Sequence, residues 1–162
     1  MEIQALSSRF RVRRLTADDT DAIYDLSRGN LLFYQYHPPF VTRESILEDM
    51  AALPPGKEYR DKFYVGFFDA GTLAAVMDLI LGFPEPEIAF IGLLMTDTRY
   101  QNQDVSSQIV SDTAAHLAGL GYREIRLGVD RGNPQSSHFW TKNHFSVLRE
   151  DEYILMSRTL IR

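Results

Sequence analysis

The chain has 162 residues, 44% of them hydrophobic and 24% charged, with a formal net charge of −5 and no cysteine. That is enough apolar material for one ordinary folded core, so a single domain spanning residues 1–162 is expected. The acidic balance argues against a nucleic-acid binder, which would carry a basic stripe, and the missing thiols exclude a disulfide framework, a thiolate zinc site and a thiol nucleophile.

The first residues, MEIQALSSRF, lack a basic segment followed by an apolar run, so no signal peptide is expected. No apolar run approaches the length of a membrane span, and a cytoplasmic protein is the expectation. Arg9–Leu15 alternates apolar and basic residues as a half-exposed strand does. Thr16 with Asp19 forms a capping-box pattern that opens a helix through Ala17–Leu26, which Gly29–Asn30 stops. Leu31–Val41 is aromatic and polar at once, and Pro38–Pro39 is expected to keep it irregular. Thr42 caps a second helix over Arg43–Leu53.

Strands are expected at Lys62–Asp69 and Thr72–Gly82, joined by a hairpin turn at Ala70–Gly71, and a third at Ile88–Thr96. A polar loop, Asp97–Asp104, leads to a helix over Val105–Leu120, with Gly121 as its C-cap. Glu124–Val129 is the next strand, and Asn133 with Pro134 opens a short helix to about Asn143. Phe145–Leu148 and Tyr153–Leu160 finish the chain as a hairpin. Three strands joined by short turns, then a strand-helix-strand crossover, give an α/β class with a mixed sheet of about seven strands and helices on both faces.

The strand-loop-helix at Ile88–Leu120 gathers backbone N–H groups and a helix N-terminus at one spot, a common way to bind phosphate. The run YQNQDVSSQIV (Tyr100–Val110) resembles the acetyl-CoA pyrophosphate loop of the GCN5-related N-acetyltransferase (GNAT) family. The run GNPQSSHFWTKNHF (Gly132–Phe145) resembles that family's later motif, with Asn133, Ser136, Phe139, Lys142 and Phe145 in register. The resemblance implies a GNAT-like fold split between its two central strands, with acetyl-CoA as co-substrate in the gap. Its arm would pair with Leu94, Met95 and Thr96. Its pyrophosphate would rest on Gln101, Asn102, Gln103, Asp104, Val105, Ser106 and Ser107, with Asn133 and Trp140 facing it. The implied reaction is direct attack on acetyl-CoA by a primary amine of a small molecule or peptide. A homodimer through the final hairpin is in keeping with the family.

The loop departs from the family pattern, having Asn102, Asp104 and Ser106 where glycines are usual. A carboxylate about 6 Å from a phosphate costs roughly 2–3 kcal/mol per unit charge at an effective dielectric near 20. That is a factor on the order of 10² in affinity. Asp104 either caps the amides that phosphate would use, leaving a weakened binding or regulatory module, or points away from them. Trp140 stands where the family often has a tyrosine proton donor, and an indole cannot act as a general acid. Asp78 is the candidate base, its other reading being an exposed or hairpin-paired carboxylate, and Glu87 is a weaker one. Tyr34 and Tyr36 are candidates for the acceptor mouth, as proton donors or as pocket lining. His37, His116, His138 and His144 have no metal-ligand spacing, so no metal is expected.

Overall fold

A computed structural model describes residues 1–161. Seven strands, β1 (Arg11–Arg14), β2 (Lys62–Asp69), β3 (Thr72–Leu81), β4 (Ile88–Thr96), β5 (Glu124–Asp130), β6 (Ser146–Glu150) and β7 (Tyr153–Thr159), form one sheet in the order β1-β2-β3-β4-β5-β7-β6. Every neighbouring pair is antiparallel except β4–β5, which is parallel and joined through a helix. The helices are α1 (Thr20–Arg28), α2 (Leu31–Tyr36), α3 (Arg43–Ala51), α4 (Val105–Gly119) and α5 (Pro134–Lys142). Among the described residues no helix is long and apolar enough to cross a membrane.

Strand alternation sorts the core into two layers. Phe63, Val65, Phe67, Met77, Leu79, Ile91, Ile125, Leu127 and Val129 pack with Val105, Ile109, Val110 and Leu117 of α4 on one face. Tyr64, Leu73, Val76 and Met95 pack with Ile23 and Leu26 of α1 and Ile46 of α3 on the other.

Two expectations change. Leu31–Tyr36 is helical, and the irregular stretch begins only at His37, because proline restricts the residue before it and not the whole segment. The capping box of Thr16 and Asp19 closes a 3-10 turn over Ala17–Asp19, and the α-helix proper starts at Thr20. Thr42 caps α3 as expected, with its side chain accepting from the Ser45 N–H.

The helix-bearing face over β2 leaves no room beside Gly66. A Cβ there would stand 2.7 Å from Leu15 Cδ2 and 2.8 Å from Leu73 Cδ1. Gly66→Ala is therefore expected to lose about 1–3 kcal/mol by overpacking, read as a lower urea midpoint at an unchanged slope.

Candidate active site

Strands β4 and β5 pair only over Ile88–Ile91 and Glu124–Leu127. Beyond these residues β4 stays bonded to β3 as far as Thr96, and β5 stays bonded to β7 as far as Asp130. The two central strands therefore part, and their inner edges face a gap. A register shift between Asp78 and Leu79 marks the point where β4 bends away, with Gly92 as the extra residue on β4.

Backbone alternation says which groups look into the gap. The Asp97 N–H donates to the Ala74 carbonyl on β3 at 2.8 Å. Leu94 and Thr96 are then turned toward the gap, and Met95 toward β3. The expectation that all three offer backbone groups to a ligand is thus corrected at Met95, whose side chain is buried in the core with α1 and α3. The Thr96 carbonyl is already engaged, accepting from Asn30 Nδ2 (3.2 Å) and Gln101 Nε2 (3.0 Å). The Leu94 N–H and C=O and the Thr96 N–H are left facing the gap.

The gap runs into a cleft of about 460 Å³ lined by β4, the loop after it and the starts of α2, α4 and α5. Asn102 (φ 63°) and Asp104 (φ 58°) are left-handed, the conformation for which a glycine would be chosen. They hold the loop so that, among the described residues, the N–H groups of Asn102 through Ser107 have no protein acceptor. With α4 behind them, these amides and the helix N-terminus form an anion cradle.

The Asp104 carboxylate makes no capping bond to α4. It is 86% exposed and stands 3.6 Å from Lys142 Nζ on α5. The self-capped arrangement considered from the sequence is therefore absent, because a left-handed backbone carries the side chain away from the helix axis. Gln103 is also outside the cleft lining, its side chain donating to the Arg99 carbonyl at 3.1 Å. The remaining expected lining residues, Leu94, Met95, Thr96, Gln101, Asn102, Asp104, Val105, Ser106, Ser107, Asn133 and Trp140, do come together there. Ser106 is pinned to Thr96 by a 2.6 Å hydroxyl contact, and Asn133 caps α5 through Ser136.

The Acetyltransferase (GNAT) family profile matches residues 21–145, well over half the chain. The chain belongs to the GNAT acetyltransferase family. Among curated proteins none matches the sequence significantly. Solved structures share the fold. An acetyltransferase from Thermus thermophilus superposes with a TM-score of 0.80 at 20% identity, covering 94% of this chain and 97% of that one. PaiA N-acetyltransferase from Thermoplasma acidophilum, solved in complex with coenzyme A, gives 0.71 at 20% identity, covering 93% and 98%. Ard1 from Thermoplasma volcanium gives 0.67 at 17% identity, covering 93% and 97%.

On this GNAT chain the sequence missed several lining residues: Gly29, Asn30, Leu31, Leu32 and Phe33 from the α1–α2 corner, Tyr100 from the loop, and Gln135 from α5. Asn30 reads in the sequence as a helix stop. In the fold its amide bonds Thr96 and accepts from Gln101 Nε2 at 2.8 Å, tying the α1–α2 corner to the loop. No local pattern could have signalled a partner 71 residues away.

The expected catalytic groups fall elsewhere. Asp78 is not in the cleft lining. Its Oδ2 accepts from Lys62 Nζ at 2.9 Å, and the two side chains are only 15% and 4% exposed. Burial pushes its carboxyl up, opposed by the Lys62 hydrogen bond, and its Oδ1 is buried with no partner. This is the hairpin-paired reading of Asp78: a charge already committed to a buried ammonium. Glu87 pairs with Arg123 at the exposed start of β4. Tyr34 packs against Phe33 and Phe40, and burial pushes its hydroxyl up. The Tyr36 ring lies beside Gly132, next to Asn133. Trp140 is held edge-on between Phe139 and Phe145 as one wall of the cleft. Among the described residues no cluster of three or more His, Asp or Glu could hold a metal.

Removing one member of a buried ion pair strands the other. Asp78→Asn is expected to cost about 3–5 kcal/mol of stability by leaving Lys62 uncompensated, seen in the urea midpoint. Adding Lys62→Met should recover most of it. An Asp78→Asn protein of unchanged stability that turns over slowly would instead return Asp78 to the role of base.

Proposed function

We propose that this chain is an acetyl-CoA-dependent N-acetyltransferase that acylates a primary amine of a small molecule or peptide by direct attack. The observation that carries the reading is the continuity of unpartnered backbone, from Leu94 and Thr96 in the strand gap to the amides of Asn102–Ser107 at the start of α4. Buried or half-buried backbone groups need partners. An amide-rich arm ending in a pyrophosphate supplies them in that order, which is also the order that the family resemblance implies. The residues present fit acetyl-CoA, which brings an activated thioester when bound.

The chain's own groups divide the work. Leu94 offers an N–H and a C=O to amides of the arm, and its N–H can polarise a carbonyl. The cradle amides take the pyrophosphate, and Phe139 with Trp140 walls the cleft against water. Leu31, Leu32 and Phe33 form its other, apolar wall, with Tyr34 and Tyr36 beyond them. The amine enters between that helix and β5. That the coenzyme A complex of PaiA has the same fold supports the reading.

The charge at Asp104 is a smaller obstacle than the sequence suggests. With the carboxylate in water, the repulsion at about 6 Å is about 0.7 kcal/mol per unit charge, or about threefold in affinity for each. Lys142 beside it has the opposite sign. Calorimetric titration with acetyl-CoA is therefore expected to show saturable binding by the unaltered protein. Asp104→Gly should tighten it by about threefold and by less than tenfold. No heat at millimolar acetyl-CoA would overturn the reading, and a hundredfold gain in Asp104→Gly would restore the self-blocked loop.

A further inference from the structure

The acceptor amine arrives protonated and must lose that proton before its nitrogen can attack. The base must therefore lie on the face of the sheet from which the amine approaches, near the open part of β4–β5. Asp78 is on that face, but its carboxylate is held by Lys62. Another titratable pair stands there at the open end of β5.

Ile125, Leu127 and Val129 point into the α4–α5 layer, so Gly128 and Asp130 present the opposite face, the one covered by α1–α3. Continuing the β4–β5 register from Ile91↔Leu127, and allowing for Gly92 as the extra residue on β4, brings Asp130 about level with Met95, next to Leu94, whose backbone groups face the gap. Asp130 is thus at the rim of the open strand pair, just outside the residues that line the cleft. There Asp130 Oδ1 lies 2.9 Å from His37 Nδ1, at the end of α2. The His37 ring packs on Phe33, a residue of the cleft wall, with ring centroids 5.1 Å apart.

We propose that His37, oriented by Asp130, is the general base that takes the proton from the acceptor amine. The proposal rests on the acetyltransferase reading above. A carboxylate on Nδ1 fixes the tautomer in which Nδ1 carries the hydrogen and Nε2 the lone pair. His37 Nε2 takes one proton from the R–NH3+ group. The freed lone pair forms the C–N bond, the C–S bond breaks with its electron pair left on sulfur, and the second proton goes from nitrogen to sulfur. The products are the amide and the free thiol, and His37 passes its proton to water. The ring is well placed for that last step, because its side chain is 59% exposed, whereas the Asp78–Lys62 pair is sealed.

The charged groups that face the ring are Asp130 from β5 and, within Coulombic reach, Asp49 from α3. The dyad also spans the mouth of the gap, linking α2 to β5. A clasp alone would link these elements without moving protons, so the test reads protons.

Thiol release from acetyl-CoA is measured against pH with tyramine, 1,4-diaminobutane and an alanyl peptide, alongside calorimetric titration of acetyl-CoA. His37→Gln is expected to bind acetyl-CoA normally, to lose about 10²-fold in kcat, and to lose the acid limb of its pH profile. Asp130→Asn should lose less, with the acid limb displaced, and the double variant should be no worse than His37→Gln. Added imidazole should partly restore His37→Ala, which a clasp cannot do. An acid limb and rate retained in His37→Gln would overturn the proposal, as would loss of rate with no change of limb and no rescue. If His37→Gln does not fold, Asp130→Asn with an undisplaced limb overturns it. Failure of the unaltered protein to bind acetyl-CoA would instead remove the transferase reading itself, and binding without thiol release toward any of these amines would overturn the base assignment for them.

Discussion

Two neighbouring strands that stop pairing part-way along their length leave backbone groups without partners, and this molecule is arranged around that deficit. A break in a central sheet would ordinarily be destabilising, since unpaired N–H and C=O groups are costly when shielded from water. Here the outer edges of both strands remain fully laddered, β4 to β3 and β5 to β7. The opening is therefore rigid and does not collapse. The bend is located at Gly92, where a Cβ would stand 3.0 Å from Asp78 Oδ2. The buried Asp78–Lys62 pair sits against that bend and occupies the space a side chain would need. Its role in the fold is thus to mark where β4 leaves β5.

The same economy governs the phosphate cradle. A loop that must expose several consecutive amides needs left-handed turns, and glycine provides them without strain. This chain adopts those turns at Asn102 and Asp104 instead, each at a strain of about 1–2 kcal/mol that Asn and Asp bear better than most residues. The side chains that come with them are kept out of the way. Asp104 leans to Lys142, and Gln103 folds back on Arg99. What the loop presents to the cleft is largely backbone, and for the proposed phosphate cradle its composition matters less than its dihedral angles.

That distinction explains how much of the site was legible in the sequence. The strand Ile88–Thr96, the helix starting at Val105 and the Asn133–Pro134 cap were readable because each is set by local pattern. That α5 faces the loop was implied instead by the family resemblance carried by Asn133, Phe139, Lys142 and Phe145. Side-chain direction at Asp104 was not readable, because it depends on a backbone angle that sequence only permits. Nor was the commitment of Asp78 to Lys62, a cross-strand neighbour 16 residues earlier. The corner formed by Asn30, Gln101 and Thr96 and the pairing of His37 with Asp130, 93 residues apart, depend on tertiary closure alone. The acceptor side is accordingly the part of the site that sequence conveys least.

The open edge of β4 and the cradle before α4 are proposed to form one binding surface made of backbone. Amide hydrogen exchange, resolved by residue with and without saturating coenzyme A, tests it most directly. New protection is predicted at Leu94, Thr96 and the amides of Asn102–Ser107, with Met95 unchanged because it is already bonded to β3. Binding that protects other surfaces and leaves those amides exchanging as before would contradict it.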